Sequence, residues 1–524
     1  MQKTDYKVCI LAAGKGTRNT AYKNLHKALL PLGNKATISR IIESFPLGVS
    51  FVIALGYKGE QIRAYLDYTY PKRNIEFVVI NNHSGPGSGP GLSLYGCRNH
   101  LQCPFIFLGA DTLVDFRENM TMPDRDWIGI GDCSKWSTAS RQYCMYDKAN
   151  GFYYSFAQGK NPDLNNCFIG VAGVNSYKKF WSSLQNTAQI NGEHQVLNGF
   201  YNLANIEPMR FESWRDTGNN ESYSYVSKEY KTIVEPKPDE IIFIDNKKVL
   251  KYFDDEEKVK NRVKRSKILQ PHVPVVEKID KNIFGYDFIP GKRFSDLLDR
   301  RQIESFFQFF KEIYLENKAK PASEQAFRDN CNTMYKDKTF KRVLSHSEYS
   351  MLDNIETING LSVDSVSSML KSIDWNIFLD NAIPVTIHGD MSPENILYCE
   401  NKNKFTLIDW RERFGNDLCI GDAYYDLSKF DHALIVNGEI IRSKRYYVSI
   451  KEKSADISID FKSNLIDARI ILENFCLKNG LDFNYIKLLT AITLLNISSV
   501  HSDVMFNRFL FLYGKLLLME HLKK

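Results

Sequence analysis

Leu11-Ala12-Ala13-Gly14-Lys15-Gly16-Thr17-Arg18 decides the reading of the first half of the chain, and Lys27 follows nine residues after Arg18. The apolar run Val8-Cys9-Ile10-Leu11 leads into it and reads as a buried strand. After Leu11, the small residues Ala12, Ala13, Gly14 and Gly16 let the backbone turn sharply. The amides of such a loop can face a phosphate chain without side chains in the way. Arg18 and Lys27 supply the fixed positive charge that a triphosphate needs. A glycine turn alone is equally a tight turn. Strand, small-residue loop, Arg and following Lys together point to phosphate.

Working outward, the sequence has 524 residues, 68 Lys+Arg against 62 Asp+Glu, 43% hydrophobic and 13% aromatic residues. That length calls for two to four domains, with ample apolar side chains for packed cores. The net charge of +6 is spread along the chain. It suits anionic small molecules and provides no concentrated basic stripe for nucleic acid. No apolar run approaches the roughly 20 residues of a membrane helix, and no basic-then-apolar leader opens the chain. The ten cysteines are scattered without a CxxC pair. Reduced thiols and a cytoplasmic location are the expectation.

Residues 7–11, 50–55, 75–80 and 104–109 are short apolar runs, with amphipathic stretches at 37–45 and 59–68 between them. This alternation predicts an α/β domain with a mostly parallel sheet, whose ligand lies beyond the carboxyl ends of the strands. Two further features are expected there. His83-Ser84-Gly85-Pro86-Gly87-Ser88-Gly89-Pro90-Gly91 follows the third strand. It reads either as a plain surface loop or as a backbone surface, through Gly87 and Gly89, for a nucleobase. Phe105-Ile106-Phe107-Leu108-Gly109-Ala110 ends in Asp111, a natural Mg²⁺ ligand because Mg²⁺ shares itself between few protein oxygens and phosphates. Trp214-Arg215-Asp216-Thr217-Gly218 offers a second carboxylate, or only a turn.

Residues 7 to about 225 resemble the sugar-phosphate and phosphocholine type of nucleotidyltransferase, through the loop at 11–18, Lys27 in His26-Lys27-Ala28-Leu29-Leu30-Pro31, the Gly-rich loop, Asp111 and Trp214-x-Asp216-x-Gly218. The resemblance implies a Rossmann-like domain over 1–230. It also implies attack of a phosphomonoester on the α-phosphorus of an NTP, with Mg²⁺ on Asp111 and Asp216, and Arg18 and Lys27 on the phosphates. His26 replaces the Pro usual before that Lys. Lys160 falls roughly where the family holds the acceptor phosphate, with a surface lysine as the alternative.

Glu235-Pro236-Lys237-Pro238-Asp239 reads as an extended connection. Beyond it, 241–244 and 248–251 read as two strands, the second ending in Lys251. The runs at 300–380 and 435–520 read as helical, and Phe306-Phe307 and Phe309-Phe310 as core. The decisive later stretch is Val385-Thr386-Ile387-His388-Gly389-Asp390-Met391-Ser392-Pro393-Glu394-Asn395, followed by Phe405-Thr406-Leu407-Ile408-Asp409. Asp390 is a candidate base for a hydroxyl, and Asn395 and Asp409 can hold Mg²⁺ on ATP.

Residues 238–524 resemble the choline kinase and aminoglycoside phosphotransferase branch of the protein-kinase-like fold, which writes its catalytic loop HGDxxxxN. The resemblance implies an α+β domain with Lys251 on the ATP phosphates and Tyr286 to Gly291 as the adenine hinge. Asp422 and Asp426 read as structural. One departure is that 258–276 lacks the Glu that pairs with the ATP lysine: either Glu256 or Glu257 takes that role, though both come early, or the pair is missing. Together the halves suggest that an amino alcohol, sugar or polyol is phosphorylated by ATP and then activated by an NTP. CTP is the expected nucleotide, for surface glycan or lipid head-group synthesis. A catalytically inactive, regulatory kinase-like half is the alternative.

Overall fold

The computed structural model describes residues 6–22, 24–116, 123–135, 144–147, 151–153, 164–185, 193–233, 237, 239–501 and 503–523. The chain forms two compact units. One is Met1–Glu256 with Glu277–Phe288, and the other is Glu257–Val276 with Ile289–Lys524.

In the first unit the strands Lys7–Ala12, Ser50–Leu55, Ile75–Val79 and Phe105–Gly109 are joined by crossovers that include the helices Thr37–Glu43 and Gly59–Thr69. Lys7–Ala12 pairs in parallel with Ser50–Leu55 on one side and Phe105–Gly109 on the other, and Ile75–Val79 extends the sheet in parallel. The sheet becomes mixed where Cys167–Val174 runs antiparallel to Phe105–Gly109 and to Trp127–Gly131. Val8, Ile10, Ile53, Ile106 and Leu108 face one core, while Cys9, Val52, Ala54 and Phe107 face another. Burial on both faces explains why these strands read as continuous apolar runs.

The sequence boundary near 230–238 and the compact units divide the chain at different places. Glu240–Asp245, Lys248–Phe253, Ile283–Asp287 and Glu277–Lys278 form a four-stranded antiparallel sheet. Its Ile241, Phe243, Leu250, Tyr252 and Ile283 belong to the same buried cluster as Val8 and Ile53. Asp245, 2% exposed, accepts hydrogen bonds from Tyr65 Oη at 3.2 Å and Tyr70 Oη at 2.8 Å, both from the helix Gly59–Thr69 and its end. Asn34 closes the same seam, with its Nδ2 donating to Ile242 O at 3.0 Å.

The second unit is mainly helical. The helices Ala423–Ile435, Ser463–Lys478, Phe483–Ile497 and Val504–Leu522 share one core with Phe306, Phe307 and Phe310, so these aromatics are core as read from sequence. Phe306 stacks on Phe430 at 5.1 Å. A three-stranded sheet, in the order Lys292–Arg293, Ile396–Cys399, Lys404–Leu407, lies beside the loops that carry the candidate residues Asp390, Asn395 and Asp409. The helical reading of 435–520 needs one correction: Tyr446–Lys451 and Ser454–Ile459 form an antiparallel hairpin. Val448, Ala455 and Ile457 are buried in alternation, which is the period of a strand. Among the described residues no helix is long and apolar enough to cross a membrane.

Asp245 anchors the 240–287 sheet through groups that have no water to fall back on. Asp245→Ala should lower unfolding stability by about 2–4 kcal/mol and Tyr70→Phe by about 1 kcal/mol, measured by denaturant titration. Equal, near-zero losses would show that this seam does not hold the sheet.

Candidate active sites

The glycine loop opens onto a cleft of about 740 Å³ in the first unit, within the range of small-molecule sites. Leu11, Ala13, Gly14, Gly16, Arg18, Lys27, Gly89, Asp111 and Asp216 all line it. Ala12 is fully buried in its strand, and Gly87 is not among the lining residues. Gly16 has φ +64°, and a Cβ there would come within 2.6 Å of the Lys27 side chain. Only glycine fits between the loop and that lysine. Gly89, at φ +128°, runs so close to His194 that a Cβ would lie 2.7 Å from the His194 carbonyl oxygen.

Lys27 Nζ donates to Asp111 Oδ2 at 2.7 Å, and both side chains are only 16% exposed. Burial alone would raise the Asp111 pKa, but Lys27 and Arg18 outweigh it and hold the carboxyl below its ordinary value. Asp216, more than 100 positions later, is brought alongside by antiparallel pairing, with Asp216 opposite Thr112 and Arg215 opposite Leu113. A Cβ on Gly218 would lie 3.1 Å from both Asp111 Oδ2 and Asp216 Oδ1, so both carboxylates face one spot. Two hard oxygen donors on one spot fit Mg²⁺, which fills its remaining positions from phosphates and water. Among the described residues no group of three or more His, Cys, Asp or Glu side chains is placed to hold a metal.

His26, which the sequence marks only as a departure, ties the site together. Its Nδ1 accepts from Ala28 N at 3.0 Å, and its Nε2 lies 3.3 Å from Gly14 O. The first bond requires Nδ1 to be unprotonated, so Nε2 carries the hydrogen and donates to the loop carbonyl. Burial, with Lys27 adjacent, lowers the His26 pKa to about 3 and keeps the ring neutral. Lys160 lies outside the described residues.

In the second unit Asp390 and Asn395 share one loop. Asn395 Nδ2 donates to Asp390 O at 2.9 Å and to Asp390 Oδ2 at 3.1 Å. Lys429 Nζ lies 3.0 Å from Asp390 Oδ1 and, against the effect of burial, helps to lower the carboxyl pKa. His388 is fully buried. Its Nδ1 accepts from Asp390 N at 3.3 Å while Nε2 meets Ile408 O at 3.1 Å, linking the two loops. Asp409 itself adopts φ +61°, an uncommon conformation for a non-glycine residue and one that clusters at functional sites.

Asp422 and Asp426 are structural, in keeping with the sequence. Asp426, wholly buried, accepts from Tyr314 Oη at 2.7 Å, His388 N at 3.0 Å, Gly389 N at 2.9 Å and Met391 N at 3.3 Å. Asp422 accepts from Tyr335 Oη at 2.6 Å and Ile383 N at 2.9 Å, and caps the helix Ala423–Ile435. Arg262, unmarked in the sequence, pairs with Asp409 from the helix Glu256–Ile268, in the part after Glu257 that lacks the expected Glu. Glu256 pairs with Lys281 at 2.8 Å and Glu257 with Lys260 at 3.2 Å. Lys251 lies in the first unit on Lys248–Phe253 and is 3% exposed, buried where a lone strand lysine is usually solvated.

Fold and cleft define a class for the first unit: an α/β domain with a mixed, mostly parallel sheet, and a glycine loop and two carboxylates lining one cleft. No family model matches the chain. Its N-terminal region resembles nucleotidyltransferases of the sugar-phosphate and cytidylyl type. The chain is 31% identical over 127 residues to a probable glucose-1-phosphate cytidylyltransferase of Bacillus subtilis, covering 24% of this chain and 46% of that protein. It is 39% identical over 82 residues to the bifunctional protein GlmU of Gloeothece citriformis, covering 15% and 17%. The chain thus spans less than half the length of these curated relatives. Among solved structures, CTP:phosphocholine cytidylyltransferase (LicC) of Streptococcus pneumoniae aligns at 20% identity and TM-score 0.33, over 43% of this chain and 99% of that one. The inositol-1-phosphate CTP transferase of T. maritima aligns at 14% identity and TM-score 0.35, over 45% and 100%.

The Lys27–Asp111 pair carries a pH signature. A carboxyl with a lowered native pKa adds stability that is complete above its unfolded value of 3.8 and lost as pH falls through the native value. Asp111→Asn should therefore melt below wild type at pH 6, and the gap in melting temperature should close as pH drops below 3.8. A gap independent of pH would assign the effect to packing instead.

Proposed function

We propose that the first unit transfers a nucleotidyl group, CMP from CTP, to a phosphomonoester, and that the Asp390 loop belongs to an ATP-dependent alcohol kinase. The observation that carries the first part is the convergence of Arg18, Lys27, Asp111 and Asp216 on the glycine-loop cleft. An oxygen of the acceptor phosphate attacks the α-phosphorus, the bond to the β-phosphate breaks, and pyrophosphate leaves. Arg18 and Lys27 neutralise the triphosphate while backbone amides of the loop orient it. Asp111 and Asp216 would hold Mg²⁺, which screens the charge building on the phosphates. CTP is chosen because the Bacillus subtilis relative is named a cytidylyltransferase and because cytidylyl transfer suits alcohol phosphates.

For the second part, Asp390 accepts the proton of an alcohol whose oxygen attacks the γ-phosphorus of ATP, releasing ADP. Asn395 and Asp409 would hold Mg²⁺ on the phosphates. His388 and Asp426 fix the Asp390 loop. The two activities run in series: alcohol to alcohol phosphate to nucleotide-activated alcohol, a precursor for surface glycan or lipid head groups. A second reading, a regulatory half without kinase activity, is favoured by one observation: the Arg262 guanidinium stands on Asp409, the expected metal ligand.

Incubating full-length protein with ATP, each NTP and an alcohol panel, read by mass spectrometry, tests both parts. Asp111→Asn should reduce pyrophosphate release by about 10²-fold or more while sparing ATP consumption; Asp390→Ala should reduce ATP consumption by a similar factor, and pyrophosphate release with it unless the alcohol phosphate is added. Alcohol phosphates that are nucleotidylated while no alcohol is phosphorylated would sink the serial scheme and leave the regulatory one.

A further inference from the structure

Beside Asp390, within the second unit, Lys338, Arg342, Arg411 and Lys429 line one small cleft with Tyr335 and Tyr425. Among the described residues no carboxylate lines it. Lys429 bridges the cleft to the base through its 3.0 Å pair with Asp390. Arg411 lies over the same loop. Its backbone N donates to His388 O at 3.0 Å, and a Cβ on Gly389 would lie 2.7 Å from Arg411 Cβ.

The other cations have a phenol and a backbone carbonyl as partners, not a carboxylate. Lys338 Nζ donates to Tyr425 Oη at 3.1 Å, Arg411 Nη1 to the same oxygen at 3.2 Å, and Arg342 Nη1 to Asn496 O at 3.3 Å. Tyr425 registers the resulting field. Burial would raise its pKa, yet Arg411, Lys338 and Lys429 bring the phenol down to about 7. Burial, together with Arg411, Lys429 and Arg342, likewise lowers Lys338 to about 8. Four cations that share one carboxylate, at Lys429, and a phenol that is only partly ionised near neutral pH leave positive charge that is costly to bury and that a further anion would offset. A cationic amino alcohol would meet repulsion here.

We propose that this cleft seats an anionic group, a carboxylate or a phosphate, carried by the alcohol whose hydroxyl reaches Asp390. The proposal rests on the kinase reading of the Asp390 loop and narrows its acceptor to an acidic alcohol. The cleft measures about 30 Å³, more than one water requires and enough for a group of a few heavy atoms. The rest of the acceptor lies outside it, on the Asp390 side.

The test uses full-length protein and ATP with glycerate, glycerol phosphate, glycerol and choline as carboxylate, phosphate, neutral and cationic acceptors. One of the two acidic alcohols should exceed glycerol in kcat/KM by about tenfold or more, and which one does so separates carboxylate from phosphate. Arg342→Gln should raise KM for that acceptor about tenfold, leaving kcat and the KM for ATP within about twofold. Preference for glycerol or choline, or an unchanged KM in Arg342→Gln, overturns the proposal. If no alcohol is phosphorylated, the kinase reading fails, and calorimetric titration of glycerate and inorganic phosphate decides the cleft. Binding to wild type but not to Arg342→Gln, with an unchanged melting temperature, upholds the anion site. No binding to wild type overturns it.

Discussion

The Lys27–Asp111 ion pair is the constraint around which the first unit is arranged. Two largely buried opposite charges are tolerable only in contact, because each alone would face an uncompensated loss of hydration. That condition fixes where the strand Phe105–Gly109 ends relative to the segment after the glycine loop. It also explains Gly16, whose missing side chain leaves room for the lysine stem. His26, neutral and bonded to both Gly14 and Ala28, locks the loop to the residue that carries the charge. A neutral ring can do this next to Lys27, whereas a protonated one would repel it.

The second unit solves a related problem with opposite means. Its central carboxylate, Asp426, meets three backbone amides and a phenol, and burial raises its pKa. It organises the loop from behind. Asp390 instead pairs with Lys429, one of the residues lining the cleft, and the cations there favour its charged form. The two carboxylates thus differ in environment: one holds the backbone, and the other is kept ionised.

Much of this organisation is legible in the amino-acid sequence alone. The strands at 7–12, 50–55, 75–79 and 105–109 stand out as apolar runs because both faces of the sheet are covered. Arg18, Lys27, Asp111 and Asp216 are readable because each follows a local signature, although the pairing of Asp216 with Thr112 depends on long-range strand contact. The hairpin at 446–459 does not stand out, because it is short and interrupts a long helical region. Lys338, Arg342, Arg411 and Lys429 come from separate segments, so no spacing announces them. Arg262 is hidden for another reason: it is one of several cations on a strongly basic helix, and no local pattern distinguishes the one that meets Asp409.

The four-stranded sheet that joins the first unit alters how the chain can be assembled and divided. Ile241, Phe243, Tyr252 and Ile283 complete a core begun by Val8 and Ile53, while the intervening residues 257–276 belong to the other unit. The polypeptide therefore crosses between units three times, after Glu256, Val276 and Phe288. No single cut yields two whole halves. During synthesis the first unit cannot close its core until residue 288 has left the ribosome, by which time part of the second unit has already emerged. Domain-by-domain folding in sequence order, the usual course for a fused protein, is not open to this one.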